Sequence, residues 1–481
     1  MIIMQQASKV IIGIAMITAL QAQMLIWQQE YAFDNPGNMI CSDDGHVFVT
    51  GEHQGFLYTM KISPNGDTVW TQKTELNPAY DETGKDLVYD QNKSYLYCIG
   101  HGYFGGYPGL YLVKYDYANG DTVYTKFITF MSTDEAPLGV ELYDNDNKLV
   151  VVGYFYDIFY AYEPTIVLIN TADGGIIFSG YYPHGAEVEA YFWDVKTDNE
   201  NNFLVGGKYH EPFSSYPVVG FFIWKINSAS LEWIWQKRNL RYQPNPVIYP
   251  YWEEGTEEIA LDNDGNPVAV GCLVEDWQYF EPMYFWILKH SNPDGDSLWH
   301  TNIGYNGKGL SCDVDYFQNV LVCGTLNDQG MIYYLDSLGT EIWNFPPGTK
   351  PERIRYYKSN DSLYFYVYSR NVNNVQVRKY LYYAGGVATE ECVKNTYSKY
   401  FSSPTIFRND IHLEFVRHSE RPLKITLYDV AGRIIAEKSL PYTPSSLTFY
   451  NERITRLSSG VYFLSVSSNN KKLGTLKLIK L

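Results

Sequence analysis

A polar turn followed by a strand that ends in a large aromatic residue recurs six times along this 481-residue chain. The copies read SPNGDTVW, YANGDTVY, TADGGIIF, SASLEWIW, NPDGDSLW and DSLGTEIW, and they end at positions 70, 124, 178, 235, 299 and 343. The steps between these aromatic residues are therefore 54, 54, 57, 64 and 44 residues. A spacing near fifty residues over most of a chain is typical of a repeat architecture rather than of one irregular core.

Each repeat carries the signals of four strands. A first strand leads to a turn rich in Asp and Asn, such as DNDGN at 262–266, and the apolar second strand that follows often ends in Gly, as at Gly153. A third strand leads to the NGD-type turn and the strand with the terminal aromatic residue. Asn-Gly and Asp-Gly turns accept positive φ and match the twist of the flanking strands, so they predict hairpins. Four antiparallel strands per repeat predict an all-β protein with an N-terminal β-propeller.

The number of blades depends on the two ends of the repeat region. Six full repeats and a shorter seventh are placed at 36–73, 84–128, 138–183, 190–238, 255–301, 309–345 and 351–382. The seventh lacks a strand with a terminal aromatic residue, and Met24–Glu30 (MLIWQQE) has the sequence of such a strand. Because an open sheet edge invites aggregation, we expect this segment to complete the last blade and close a seven-bladed ring. A six-bladed ring capped by the seventh unit is the alternative.

The first 22 residues have the features of a secretory signal peptide. Lys9 precedes the apolar run Val10–Leu20, and Ala22 is a small residue at the expected cleavage site. A membrane anchor is the alternative, but the run is shorter than the ~20 residues that a helix needs to span a bilayer. We therefore expect an exported mature protein without a transmembrane span, in which the propeller occupies residues 23–385.

The sequence changes character after a polar and aromatic linker over residues 386–402. From residue 403 onward it contains a series of short alternating strands, including a hairpin that turns at Ala431–Gly432. About seven short strands in a region of this length predict a small Ig-like β-sandwich.

Three segments of this region, ITLYDVAGRII, LSSGVYFLSV and the terminal KLIK, resemble the type A C-terminal sorting domain of the type IX (Por) secretion system. The resemblance covers residues 403–481, although the family's usual Pro-Asn-Pro at the start is only Ser-Pro404 here. It implies export through the periplasm, recognition by the type IX translocon as a partner, and secretion or attachment at the outer-membrane surface. The positions that match the family's motif are Tyr428, Gly432, Gly460, Val461, Tyr462, Lys477 and Lys480.

The repeats are similar to loose bacterial repeats that resemble pyrroloquinoline-quinone and WD-repeat propellers, but no cofactor motif accompanies them. The chain has 37 basic and 54 acidic residues, a formal net charge of −17, which repels nucleic-acid backbones and excludes a nucleic-acid partner. Nucleophile-elbow, zinc-protease, P-loop and dinucleotide-binding motifs are absent from the sequence. We therefore predict no catalytic residue, no metal ion and no cofactor.

One pair among the six cysteines is placed symmetrically. Cys312 and Cys323 are equidistant in sequence from a turn at Phe317–Gln318, and a two-residue hairpin there would set them directly opposite each other. The pair forms either a disulfide or two packed free thiols.

The connections between strands are of two kinds. First-to-second and third-to-fourth turns are short and polar, whereas second-to-third and fourth-to-first connections are long and aromatic and open on one face of a propeller. Since rigid scaffolds display functional residues on such loops, and Tyr and Trp bury large area at low entropic cost, we predict a binding face there. The candidates are Tyr103, Phe104, Tyr107, Tyr154, Tyr156, Tyr160, Tyr209, Tyr249, Tyr251, Trp252, Trp277 and Tyr279.

This face predicts a non-catalytic binding or adhesion module for a glycan, a peptide or a surface partner. The alternative is a secreted hydrolase or lyase with acidic residues near the central channel. Paired carboxylates or a His–carboxylate pair at the channel mouth would favour the enzyme.

Overall fold

A computed structural model describes residues 24–480 apart from short segments. Those segments are 76–81, 105, 130–134, 157–161, 183–188, 212–217, 243–254, 275–282, 360–361, 372–373, 383–400, 403–405, 408–409, 416–421, 430–432, 443, 445, 451, 456, 458–459 and 469–470. The chain forms two compact units. The repeat unit contains Gln23–Ser359 and Tyr364–Leu381, and the C-terminal unit is formed mainly by Tyr382–Leu481.

The described part of the repeat unit consists of seven four-stranded antiparallel sheets, which confirms the all-β prediction and the four strands per repeat. The first three sheets contain consecutive strands. They are β2 Asn35–Cys41, β3 Val47–His53, β4 Phe56–Ile62 and β5 Thr68–Thr74; β6 Thr83–Tyr89, β7 Tyr95–Phe104, β8 Tyr107–Asp116 and β9 Thr122–Ile128; and β10 Glu135–Tyr143, β11 Lys148–Tyr156, β12 Tyr162–Asn170 and β13 Ile176–Tyr181.

The fourth, fifth and sixth sheets have the same order of strands. They are β14 Glu189–Thr197, β15 Phe203–Glu211, β16 Val218–Ile226 and β17 Trp233–Tyr242; β18 Gly255–Leu261, β19 Pro267–Val274, β20 Met283–His290 and β21 Ser297–Tyr305; and β22 Gly307–Val314, β23 Val320–Leu326, β24 Gln329–Leu335 and β25 Glu341–Phe345.

The seventh sheet joins the two ends of the repeat region. It contains β26 Pro351–Ser359, β27 Ser362–Asn371 and β28 Asn374–Tyr382, and its fourth strand is β1, Met24–Ala32. Strand β1 runs antiparallel to β28, from Met24 opposite Leu381 to Ala32 opposite Asn374. The segment that matched the missing fourth strand therefore pairs where the sequence placed it.

The first strands of the sheets follow one another in a closed cycle. Each of β2, β6, β10, β14, β18 and β22 contacts the first strand of the next sheet, and β26 contacts β2. The second strands lie one layer further out and are covered on both sides, so that Phe48 and Val49 of β3 have no exposed surface. Burial on both faces explains why the second strands are almost continuously apolar.

The recurring aromatic residue joins each sheet to the next one. At five of the seven positions, a ring N–H or a phenol O–H donates to a backbone carbonyl in the third-to-fourth turn of the following sheet. The pairs are Trp27–Pro64 (2.9 Å), Trp70–Tyr117 (3.2 Å), Tyr124–Thr171 (3.2 Å), Trp235–Asn292 (2.8 Å) and Trp299–Ser337 (2.9 Å).

A lysine of the third strand donates to the same carbonyl at four of these junctions. These residues are Lys61 (3.0 Å), Lys114 (2.9 Å), Lys225 (3.5 Å) and Lys379 (3.1 Å). The turn glycine packs on the aromatic ring, and a Cβ on Gly120 would lie 2.7 Å from Trp70. We call this arrangement of aromatic residue, lysine and turn the clamp. The motif that defines the repeat is therefore the contact that holds neighbouring sheets together.

Of the two alternatives for Cys312 and Cys323, the structure has two free, packed thiols rather than a disulfide. The loop between β22 and β23 has five residues, Asp315–Asn319, instead of two, because the Asp315 carboxylate accepts the N–H groups of Phe317 and Asn319 at 2.8 and 2.9 Å. This loop pairs Cys312 with Val322 and Cys323 with Ser311. The two thiols therefore point to opposite faces of the sheet, and both are free and buried.

The described part of the C-terminal unit has two sheets and one short helix. A three-stranded sheet has the order β29-β31-β34, and a five-stranded sheet has the order β30-β36-β35-β32-β33. The elements are β29 Phe401–Ser402, β30 Ile406–Phe407, β31 Asp410–Phe415, β32 Leu423–Asp429, β33 Ile434–Leu440, β34 Ser446–Tyr450, α1 Glu452–Thr455, β35 Gly460–Ser468 and β36 Lys471–Lys480. Residues of both sheets, including Leu413, Ile425 and Leu464, form one hydrophobic core.

Candidate functional site

Five of the twelve aromatic candidates have described side chains, and they form two groups. Phe104 and Tyr107 face each other across the β7–β8 hairpin and are 58% and 49% exposed. The ring of Phe104 lies 5.4 Å from that of Phe127, which packs on Tyr111 at 4.8 Å. The Tyr111 hydroxyl donates to the carbonyl of Tyr103 at 3.0 Å. This hairpin therefore presents two exposed rings on a supported base.

The second group joins the third and fourth sheets. Tyr154 and Tyr156 contact Tyr162 with ring centroids 5.5 and 4.9 Å apart, and Tyr191 lies 5.1 Å from Tyr154 and 5.0 Å from Tyr162. These four rings pack mainly on one another, and Tyr154 and Tyr156 are only half-buried. The remaining candidates lie outside the described side chains: Tyr160, Tyr209, Tyr249, Tyr251, Trp252, Trp277 and Tyr279.

The tight turns lie at the opposite end of the sheets from these hairpins. First-to-second turns of neighbouring sheets touch, as Gln91 N–H donates to Asp146 at 2.8 Å and Asp144 N–H donates to Asn201 at 3.0 Å. The third-to-fourth turns reach the same end, because Thr171 N–H donates to the carbonyl of Asn147 at 3.0 Å. We call this the tight-turn end of the repeat unit.

A central cavity of about 760 Å³ is lined by the first strands of all seven sheets. Its lining extends from the exposed residues Asp43 and Gln91 at the tight-turn end to Asn38, Asp86 and Glu258 within the strands. Two rows of equivalent positions in the seven first strands face the cavity or its inner end. The floor row is Asn38, Asp86, Gly139, Asp194, Glu258, Ser311 and Arg353, and the turn-side row is Ile40, Val88, Glu141, Lys196, Ala260, Asp313 and Arg355.

The polar residues of the floor row bind the backbone of the next sheet. At four of the seven positions the side chain accepts the N–H that follows the equivalent position in that sheet, so the same bond recurs around part of the ring. The pairs are Asp86–Val140 (2.9 Å), Asp194–Ile259 (2.8 Å), Glu258–Cys312 (3.1 Å) and Ser311–Ile354 (3.1 Å). Asp86 and Asp194 also accept the N–H of their own following residue at 2.8 Å. Their carboxylate oxygens are therefore occupied by structural hydrogen bonds.

An ion network crosses the cavity at the floor row. The Arg355 guanidinium forms a bidentate pair with Glu258, in which its Nη1 lies 3.2 Å from Oε2, and it also donates to Ser311 at 3.0 Å and to Asn38 at 3.3 Å. Asn38 in turn accepts from Arg353 at 2.8 Å. Burial would raise the pKa of Glu258, but the two guanidinium groups outweigh it and lower that pKa. This network links the first, fifth, sixth and seventh sheets.

The turn-side row alternates between charged and apolar segments. Glu141 and Lys196 lie on the third and fourth sheets, where Lys196 Nζ is 3.8 Å from Glu141 Oε2 and 3.2 Å from Asp194 Oδ1. Asp313 and Arg355 lie on the sixth and seventh sheets. The residues between these two pairs are Ile40, Val88 and Ala260.

Burial raises the pKa of three carboxyls around the cavity. The pKa of Glu141 rises to about 7 although the charge of Lys196 opposes the shift. The pKa values of Asp86 and Asp313 rise to about 6, against the opposing charges of Lys196 and Arg355 respectively. Burial would lower the pKa of Lys196, but Asp194, Glu141 and Asp86 outweigh it and raise that pKa. Near neutral pH the Glu141 carboxyl is therefore only partly ionised beside the Lys196 ammonium.

Metal binding finds no support in the described residues, since none of their His, Cys, Asp and Glu side chains form a group of three or more that could hold an ion. The lining of the cavity also contains no histidine. The paired carboxylates that would favour an enzyme are present in the cavity, but at the floor row they bind backbone N–H groups.

The sorting-motif positions lie mainly in the five-stranded sheet of the C-terminal unit. Tyr462 is buried in β35, and half-buried Tyr428 of β32 pairs with Phe463. Gly460 and Val461 begin β35 opposite Lys480 and Ile479, and Lys477 pairs with Phe463. Gly432 lies outside the described residues. The motif is therefore placed on adjacent strands of one sheet.

Comparison with known proteins assigns this unit. A family model described as "Secretion system C-terminal sorting domain" matches residues 406–480. Residues 406–480 are a type IX C-terminal sorting domain. The sorting domain indicates export by the type IX system to the cell surface or the medium. Within the described residues, no helix is long and apolar enough to cross a membrane. A comparison with curated proteins finds no match to the sequence.

Solved structures whose backbones follow a similar path have sequences very different from this one. BamB from Moraxella catarrhalis is 9% identical with a TM-score of 0.42, covering 74% of this chain and 100% of that one. PorZ, a surface component of the type IX secretion system of Porphyromonas gingivalis, is 11% identical with a TM-score of 0.47, covering 94% and 60%. The Cps50 (Swd1) β-propeller domain of Myceliophteria thermophila is 8% identical with a TM-score of 0.46, covering 73% and 99%.

Proposed function

We propose that this protein is a non-catalytic binding or adhesion module that the type IX system delivers to the cell surface or the medium. Its ligand is a glycan, a peptide or a surface partner held on the aromatic loop end of the repeat unit. The single observation that carries the proposal is that the floor-row carboxylates accept structural hydrogen bonds. Asp86, Asp194 and Glu258 each accept a backbone N–H of the next sheet, so the acids best placed for hydrolysis hold the ring together.

We also propose a fold and domain plan for this function. A signal peptide occupies residues 1–22, a seven-bladed β-propeller residues 23–385, a linker residues 386–402 and an Ig-like sorting domain residues 403–481. The closed cycle of first strands and the pairing of β1 with β28 support the propeller. The shared core of the two C-terminal sheets supports the sandwich.

The exposed rings support the choice of the loop end. Phe104 and Tyr107 are about half exposed or more on a hairpin whose base is fixed by Phe127 and Tyr111. Preordered aromatic rings lose little conformational entropy on binding and stack well on sugar rings and on peptide side chains.

A glycan and peptide array followed by an alanine scan of the twelve aromatic candidates tests the proposal. A true anchor such as Tyr107→Ala is expected to weaken binding by about 2 kcal/mol or more, whereas most neighbours have little effect. Tyr316→Ala is the matched control, because Tyr316 is an exposed tyrosine in a tight turn. Binding that survives all twelve substitutions and falls with Tyr316→Ala would show that the wrong end was chosen.

A secreted hydrolase or lyase is the second candidate, and one observation favours it. Glu141 belongs to the turn-side row, and its pKa of about 7 suits a general acid. The hydrolase predicts that Glu141→Gln abolishes turnover of a substrate found on the array. The binding module predicts that the wild-type protein leaves every bound array component chemically unchanged.

The export route has its own experiment. Residues 403–481 are fused to a periplasmic reporter in a host with a working type IX system. The proposed boundary predicts that the reporter reaches the cell surface or the medium, and a reporter retained in the periplasm would contradict it. A fusion that begins at residue 423 removes β29–β31 and serves as the matched control, which we expect to fail.

A further inference from the structure

The central cavity has the properties of a second ligand site, at the end of the repeat unit opposite the aromatic hairpins. Its volume of about 760 Å³ lies in the range of small-molecule sites. Exposed Asp43 and Gln91 mark its mouth among the tight turns, and the Arg355–Glu258–Asn38 network crosses its inner end. A ligand would therefore enter from the tight-turn end and rest on this network.

The charges of the turn-side row are arranged as two acid–base pairs. Glu141 faces Lys196 on one side of the ring. Asp313 and Arg355 lie on the sixth and seventh sheets, where burial raises the pKa of the Asp313 carboxyl to about 6 although the Arg355 guanidinium opposes the shift. A charged ligand would have to compete with the opposite charge already present in one of these pairs. A ligand with hydroxyl groups has no such conflict, because each hydroxyl can donate to a carboxylate and accept from an ammonium or guanidinium group.

Hydrogen-bonding capacity remains on the first of these pairs. Glu141 Oε1 accepts the N–H of Leu142 at 3.0 Å, but Oε2 lies 3.8 Å from Lys196 Nζ, too far for a hydrogen bond. Lys196 has three N–H donors, of which one reaches Asp194 at 3.2 Å. A hydroxyl between the two side chains would complete both.

The rest of the turn-side row is apolar. Ile40 and Val88 adjoin on the first and second sheets, and Ala260 lies across the ring on the fifth. The C–H faces of a sugar ring suit such segments, while its edge hydroxyls meet Glu141 and Lys196. We propose that the central cavity binds a neutral saccharide from the tight-turn end through Glu141 and Lys196.

The pKa values around the cavity agree with this site. Burial holds the pKa of Glu141 at about 7. A hydroxyl group that donates to this carboxylate favours its ionised form and lowers its pKa. Saccharide binding should therefore release protons, and the affinity should rise between pH 5.5 and 7.5.

The test uses the purified full-length chain with three probe sets: neutral oligosaccharides, uronic-acid oligosaccharides and the polyamine spermidine. We expect neutral oligosaccharides to bind, and Glu141→Gln to weaken that binding about tenfold or more. Ala260→Phe, which fills the cavity without changing charge, should abolish it. Thermal unfolding of each variant establishes that it is folded.

The controls separate this site from the aromatic end. Asp328→Asn, whose side chain is 94% exposed at the opposite end of the sixth sheet, should leave saccharide binding in the cavity unchanged. The proposal would be overturned if no neutral oligosaccharide bound at millimolar concentration, or if the protein preferred the uronic-acid set or spermidine. It would also be overturned if oligosaccharide binding fell with Tyr107→Ala and persisted in folded Glu141→Gln. Loss of the aromatic site alone would leave the cavity result unaffected.

Discussion

The clamps between neighbouring sheets and the two rows around the cavity occupy equivalent positions in every repeat, yet they differ in composition. Clamp positions carry the same residue types almost throughout, such as Trp70 and Lys61 in the first sheet or Trp235 and Lys225 in the fourth. The turn-side row carries seven residues of different size and charge. Positions that carry the same residue type in every repeat are required by the fold, whereas positions whose residue type varies can be used to bind a ligand.

The junction between the seventh and first sheets shows how far the fold depends on the repeated positions. Deleting Met24–Ala32 removes the fourth strand of the seventh sheet, the Trp27 clamp and the 2.7 Å hydrogen bond from the Tyr31 hydroxyl to Gly66. We expect the thermal midpoint to fall by about 10 °C or more, or the protein not to fold. Circular dichroism melting measures this, and an unchanged midpoint would show that the seventh sheet does not need β1.

A single clamp should have the next largest effect. Trp235 is 8% exposed, packs with Ile223 and Ile259, and donates to Asn292 at 2.8 Å. Trp235→Ala should lower the free energy of unfolding by about 3–5 kcal/mol. Trp235→Phe keeps most of the packing and loses the hydrogen bond, so it should cost about 1 kcal/mol. A Trp235→Phe variant as stable as wild type in urea denaturation would contradict the role of the indole N–H.

The ion pair between Glu258 of the floor row and Arg355 of the turn-side row lies between the two classes, because these residue types do not repeat and yet they join the fifth and seventh sheets. Arg355→Ala leaves the buried carboxylate of Glu258 without its main partner and should cost about 3–5 kcal/mol. The double variant Arg355→Met with Glu258→Leu removes both charges and should cost less than the single variant. Urea denaturation at pH 7.5 compares the free energies of unfolding. A double variant less stable than Arg355→Ala would argue against an ion pair between Arg355 and Glu258.

Glu141 of the turn-side row should have the smallest effect, and its sign should depend on pH. Its folded pKa of about 7 lies above the ordinary value of 4.5, so its contribution to stability is complete below pH 4.5 and is lost as the pH rises through 7. Lys196, Asp194 and Asp86 are the charged groups that act on it. The free energy of unfolding of Glu141→Gln relative to wild type should therefore rise by about 1–3 kcal/mol between pH 5 and pH 8.

Denaturant unfolding at several pH values measures this difference, with exposed Glu341→Gln on β25 as the matched control. We expect the difference between wild type and the control to stay flat over the same range. A Glu141→Gln variant that loses stability relative to wild type as the pH rises would mean that the carboxylate is stabilised by its neighbours.

Local patterns were enough to predict the strands, the turns and the pairing of β1 with the last repeat. The strands and turns depend on residues close together in sequence, such as the alternation within a strand or an Asn-Gly pair. The pairing of β1 with β28 was predicted because the seventh repeat lacks a fourth strand and Met24–Glu30 has the sequence of one. The register of β22 and β23 was missed because Asp315 directs a five-residue loop through its own side chain. Asp198 and Asp262 make the same loop in other sheets, so aligning the repeats on this aspartate would have given the correct register.

The cavity was missed for a related reason. Its residues lie far apart in sequence and share no residue type, so no motif marks them. The floor row lies four residues before the aspartate of each first-to-second turn, so Asp90, Asp198 and Asp262 lead back to Asp86, Asp194 and Glu258. The turn-side row lies two residues before the same aspartate, as Lys196 does before Asp198. Alignment among the repeats therefore contained this signal, although which charges pair across the ring depends on the closed arrangement of the sheets.

The central claim is that β1 closes the ring. It pairs with β28 in the seventh sheet, and its Trp27 clamps that sheet to the first. The most direct measurement is a cross-link between the paired residues Glu30 and Gln376. Glu30→Cys with Gln376→Cys should form an intramolecular disulfide in the folded protein and raise the free energy of unfolding by about 2–4 kcal/mol, reversibly on reduction. Glu30→Cys with Arg378→Cys, two residues out of register, should not. Failure of the in-register pair to cross-link, or equal cross-linking of both pairs, would contradict the closed ring.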